Sequence, residues 1–159
     1  MHSRIFVLSK DENLSVDDVI IPFEDNGYYI SPLIDYVFPS SSFKEDVQWL
    51  ESVYGIQVSW KNEKAYLSDN ALQLIGQRIK NNMVERLEKI QKLITDSKNG
   101  KIEVDDWLLY RIAELAWNAL GFFFHVVEDG SPKNEPEFLN YIVTHNTPLW
   151  IIGTYDYHF

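Results

Sequence analysis

Cysteine is absent from the 159 residues, which removes disulfides, thiol nucleophiles and cysteine-based zinc or iron–sulfur centres together. No apolar run free of charge reaches the roughly eighteen residues that a bilayer-spanning helix needs, so none is expected. The first ten residues hold one short apolar run, Ile5 to Leu8, without the longer hydrophobic stretch and small-residue cleavage site of a secretory signal. A cytoplasmic location is therefore expected. The chain also lacks a Gly-rich phosphate loop, a Gly-x-Ser-x-Gly elbow, a His-Glu-x-x-His pair and a dinucleotide fingerprint. No motif argues for an enzyme, and no cofactor is expected. Bases are scarce too, with 14 Lys and Arg against 24 Asp and Glu for a net charge of -10.

That charge is unevenly placed. Residues 1–55 hold ten acids and three bases, residues 56–101 five acids and nine bases, and residues 102–159 nine acids and two bases. A field of this sign repels phosphate over most of the surface and steers cationic partners inward. The basic middle block, with Lys61, Lys64, Arg78, Lys80, Arg86, Lys89 and Lys92, is interrupted by Glu85 and Glu88. Direct nucleic-acid binding is not expected, because affinity for phosphate rests on uninterrupted positive charge.

What is present reads as one α+β domain over residues 1–159, built from terminal strands, hairpins and helices. Arg4–Leu8 reads as an inner strand, and Leu149–Tyr155 as a strand buried on both faces. The two are expected to share a small sheet. Asn26-Gly27 suggests a hairpin between Val19–Phe23 and Tyr28–Ile30, and Ile56–Leu67 a second one turning at Lys61-Asn62-Glu63. Phe43–Tyr54 is an amphipathic helix stopped by Gly55, and a long helix runs from a cap at Ser68 or Asp69 to about Ser97. Its stripe is Leu72, Ile75, Ile79, Met83, Leu87, Ile90 and Ile94. A shorter helix begins at Pro136.

Between the long helix and that shorter one, Trp107 to Glu128 reads as a central hydrophobic helix on which the sheet packs. Arg111, Glu114, Asn118, Gly121, His125 and Glu128 recur every three or four residues and form one polar line. On such a helix His125 and Glu128 would face one proton or one ion, with Glu85, Glu88 or His145 as outside ligands. This is the enzyme alternative, a small hydrolase or metal-dependent enzyme. Gly121 in the line predicts a close crossing by the long helix. His145, Asp156 and His158 are also metal-capable, and read as loop and tail residues without a common task. A third alternative is a structural homodimer through the long helix, around Ile79 or Met83.

The leading expectation rests on carboxylates beside aromatic rings. Glu24 and Asp25 precede Tyr28, Asp35 precedes Tyr36, and Glu45 and Asp46 precede Trp49. Aromatic anchors rimmed by acids suit an interface for a basic protein. In general character, small, acidic, cysteine-free and aromatic-rich, the chain resembles bacterial immunity proteins that block basic nuclease toxins, and phage-encoded inhibitors of host nucleases. The resemblance implies a binding protein whose carboxylates occupy the place of substrate phosphates, with a toxin or nuclease as partner.

Overall fold

The computed structural model describes residues 2–19, 21, 36–116 and 121–158. Its centre is a mixed seven-stranded sheet. Strand β1 (His2–Ser9) lies in the middle, with β5 (Phe123–Val126) parallel to it on one side and β7 (Leu149–His158) antiparallel on the other. β6 (Pro132–Lys133) flanks β5. The far edge of β7 is shared. β4 (Lys64–Leu67), with its hairpin partner β3 (Ser59–Lys61), pairs with residues 149–151, and β2 (Tyr36–Pro39) pairs with residues 155–158. The terminal strands thus share one sheet as expected, and the sheet is larger than the sequence suggests.

Strand alternation sorts the core into two layers. Phe6, Leu8, Phe124, Val126, Leu149 and Ile151 face helices α1 (Phe43–Tyr54), α2 (Asp69–Lys98) and α4 (Glu135–His145), which bring Val47, Leu50, Leu72, Ile75, Ile79 and Phe138. Ile5, Val7, Phe123, Tyr155 and Tyr157 point the other way, onto Val37, Ile21 and the turn around Val16–Asp18. That turn sits very close to the sheet. A bulge in the β1–β7 register leaves Gly153 opposite Val7, and a Cβ on Gly153 would lie 2.9 Å from Val16 Cγ2.

Local chemistry explains the helix ends. Ser68 accepts a hydrogen bond from the Ala71 amide at 3.2 Å, and Asn134 with Glu137 forms a reciprocal capping box, with Pro136 in the first turn of α4. Gly55 ends α1 in the left-handed region at φ +66°. The β3–β4 turn places Asn62 and Glu63 at φ 50° and 62°, the pair of positive angles that a tight hairpin of primed type demands.

The expected helix from Trp107 to Glu128 does not form. Helix α3 spans Asp106–Ala116, capped by Asp105 Oδ1 on the Leu108 amide at 2.8 Å, and from Phe123 the chain is strand. Phe123, Phe124, His125 and Val126 are all at most 8% exposed. A strand with neighbours on both edges and both faces reads as a continuous apolar run, so its alternation is invisible. Aromatic and β-branched residues then decide for strand over helix. The Asn26-Gly27 hairpin lies outside the described residues, apart from Val19 and Ile21.

Helix α2 is the outlier in size. At about 1.5 Å per residue its 30 residues span roughly 45 Å. Ala71 to Ile79 pack on the sheet and α4, and Gly76 touches the Leu139 side chain. Beyond Ile79 only Leu93 is buried, and among the described elements α3 is the main companion of that half. The second half of α2 and α3 make a two-helix arm.

Candidate interaction surface

Four elements meet where β7 ends and β1 begins: the start of β2, the middle of α1, the start of β1 and the loop before β5. Arg4, Thr154 and Asp156 lie on the helix side of the sheet there, as the register of β1 on β7 requires. Asp46 reaches down from α1. Its Oδ1 accepts from Arg4 Nε at 2.5 Å and its Oδ2 from the Thr154 hydroxyl at 2.7 Å, and it is 2% exposed. Arg4 Nη1 donates to Asp156 Oδ1 at 2.8 Å and to the Ser3 carbonyl at 3.2 Å. One guanidinium is held by two carboxylates.

Aromatic rings frame this network. Trp49 stands edge-on to Phe122 at 4.7 Å between centroids, and Arg4 lies 5.7 Å from the indole centroid. Tyr36 stacks on His158 at 5.1 Å and on Phe38 at 5.6 Å. Tyr36, Phe38 and Trp49 remain 41–42% exposed. Below them the Tyr157 hydroxyl donates to the Gly121 carbonyl at 2.5 Å, and burial chiefly pushes that phenol up to about 12. The close neighbours of Gly121 are therefore Tyr157 and Ser3, where the sequence suggested the long helix.

Of the eight residues expected to contact a partner, Tyr36, Glu45, Asp46 and Trp49 fall within the described residues, and all lie at this end. Tyr36, Glu45 and Trp49 are exposed. Asp46 is not available to a partner, because both its oxygens are spent inside the protein; a helical period marks such a residue as inward-facing, since it stands one place before Val47 and four before Leu50. Glu24, Asp25, Tyr28 and Asp35 lie outside the described residues. Phe38, Arg4 and His158 were missed. Phe38 is two residues from Tyr36 on one strand, a spacing that signals a shared face.

The polar line of the expected central helix is dispersed. Glu128 accepts from the Ser9 hydroxyl and the Lys10 amide, both at 2.7 Å. His125 is 2% exposed in β5, opposite Val7, and burial first, then the Lys133 ammonium, hold its imidazole below the usual range. The Ser131 backbone and Glu128 oppose that shift. Lys133 pairs with Asp129 and thereby lowers that carboxyl. A cleft of about 500 Å³ opens alongside, lined by Asp129, Ser131, Lys133, Asn140, Tyr141 and His145 among others; His125 and Glu128 do not line it.

His145 stacks on Tyr141 at 4.2 Å, whereas Asp156 binds Arg4 and His158 stacks on Tyr36 at the other end of the ten-residue β7. Among the described residues no group of three or more His, Asp or Glu could hold a metal ion. Arg111 and Glu114 instead border a groove against Lys89, Lys92 and Asp96 of α2. No helix among the described residues is long and apolar enough to cross a membrane.

Compared with protein-family models, with curated proteins and with solved structures, the chain matches none.

Proposed function

We propose that the protein is an inhibitor of the immunity type, which docks a basic protein, such as a nuclease toxin, through the end of the sheet formed by α1, β2 and the last residues of β7. One observation carries this reading: Tyr36, Phe38 and Trp49 stay about two-fifths exposed around a fixed Arg4–Asp46–Asp156 network, with Glu45 exposed beside them. Rings held by stacking lose little freedom on binding and exclude water from neighbouring charge pairs. Arg4 is outnumbered by carboxylates, so this end favours a cationic surface. Docked on a nuclease, Glu45 stands where a substrate phosphate would go.

The test is affinity capture at low salt with the wild type and with a Tyr36→Ala/Trp49→Ala bait. The reading requires a basic protein held by the first and lost by the second. Equal capture by both, or capture of acidic proteins only, rejects this surface. A captured nuclease should lose activity in the presence of the wild type and keep it with the variant.

A further inference from the structure

We propose that the α2–α3 arm is a self-association surface, on which a second copy of the chain lays its own α3 antiparallel about a two-fold axis. The proposal is independent of the docking end described above, since it uses different elements.

Helix α3 carries only three charged residues, Asp106, Arg111 and Glu114; the other eight are apolar or aromatic. A helix with so little polar circumference is ordinarily covered on most sides. Here Leu108 alone is buried. Ile112 and Leu115 share its inward face and are partly covered, while Trp107, Leu109 and Tyr110 are 64%, 60% and 56% exposed. Trp107 and Tyr110 stack at 5.5 Å with their rings 16° apart, so the outer face is ordered before any partner arrives. The groove with Lys89, Lys92 and Arg111 fixes one flank of the arm as polar. Helical periodicity then places Leu109 on the opposite flank, the side on which α2 carries Leu87 and Val84 further along its axis, 64% and 46% exposed. The apolar face runs across both helices.

Area and charge both favour a second copy as the occupant. These side chains expose on the order of 600 Å² per copy, and doubling that reaches the low end of the ~1,200–2,000 Å² buried in stable interfaces. Along the arm, residues 84–92 hold three bases and two acids, and residues 93–107 four acids and two bases. Antiparallel pairing sets the basic stretch of each copy beside the acidic stretch of the other, whereas parallel pairing would align like with like. A two-fold contact is also closed, so it stops at the dimer and forms a four-helix bundle. Of the two positions expected for a long-helix homodimer, Ile79 is 1% exposed and Met83 packs partly buried against the same core.

The mass in solution should double as protomer concentration rises from about 1 to about 200 µM. A Leu109→Glu/Tyr110→Glu variant should stay monomeric throughout, with an unchanged unfolding midpoint at the lowest concentration, since both side chains are exposed. Because the chain has no cysteine, Tyr110→Cys supplies a single thiol near the proposed axis. Mild oxidation should link it into a covalent dimer at least ten-fold faster than a Gln48→Cys control on α1. A wild type monomeric at every concentration, a dimer that survives the double substitution, or equal cross-linking at both thiols overturns the proposal. The first result would assign α3 to a different protein.

Discussion

The two halves of α2 share one helical stripe and meet opposite fates. Ile75 and Ile79 are sealed against the sheet, while Leu87, two turns on in the same stripe, is 64% exposed. Period tells which side of a helix is apolar; it says nothing of how far the covering layer extends. The sheet ends, α2 continues, and the stripe passes from a core with strands, α1 and α4 to a thin seam with α3. The body and the arm therefore differ in what holds them.

The sharpest way to break that contrast is one substitution made twice on one helix. Ile79→Asp buries an unpaired charge and should cost at least about 4 kcal/mol or prevent folding, whereas Leu87→Asp should leave dilute-state stability within about 0.5 kcal/mol. Urea unfolding of both variants decides, and similar losses would erase the distinction. Next in size, Asp46→Ala takes the acceptor from the buried Thr154 hydroxyl and from Arg4 Nε, leaving Arg4 with Asp156 alone as carboxylate partner. A loss of about 3 kcal/mol is expected, little changed by added salt. Gly153→Ala pushes a methyl group into Val16 and should cost about 1–3 kcal/mol, recovered in part by Val16→Ala.

Hydrogen exchange should separate the regions without mutation. In dilute solution the amides of α3 and of residues 84–98 should open at a lower free energy than those of β1 and β7, because so few apolar contacts hold them. The smallest effect concerns pH. His125 has a folded pKa below its unfolded value, so the unfolded chain binds the extra proton. The stability linked to this residue is fully present above the ordinary histidine range and is lost as pH falls below it. Unfolding midpoints should drop as pH falls through the ordinary histidine range, and the His125 ring resonance should titrate at a lower pH than that of an exposed histidine.

Much of the body is legible in sequence because local chemistry and tertiary demand agree there. Ser68, Pro136 and Gly55 mark helix ends that the structure keeps. The alternation around Trp60 and Ala65 reports a real hairpin, and Ile5–Leu8 and Leu149–Ile152 carry the unbroken apolar runs of strands covered on both faces. Phe122–Val127 carries the same signature, but polar residues at three- and four-residue steps around it imitate a helix. Only the position of β5 beside β1, a contact between residues more than a hundred apart, settles the choice. The proposed docking end is legible in its residue types, not in its roles. Asp46 and Trp49 are three residues apart on one helix, yet Asp46 ties the fold together and Trp49 meets solvent. Arg4, Thr154 and Asp156 decide that, and no local pattern names them.

β1 takes both its neighbours from strands made far later in synthesis, since Ile5 faces Phe123 on one edge and Tyr155 on the other. A ribosome that has released Ile5 must still add more than a hundred residues before either edge can be sealed. During that interval the emerging chain exposes an apolar strand open on two sides, a template for pairing with any other nascent polypeptide. A stop ahead of Phe123 would make that condition permanent, and one ahead of Leu149 would still leave the β7 edge open, so premature termination should yield aggregates or chaperone-bound species in preference to a partly working product.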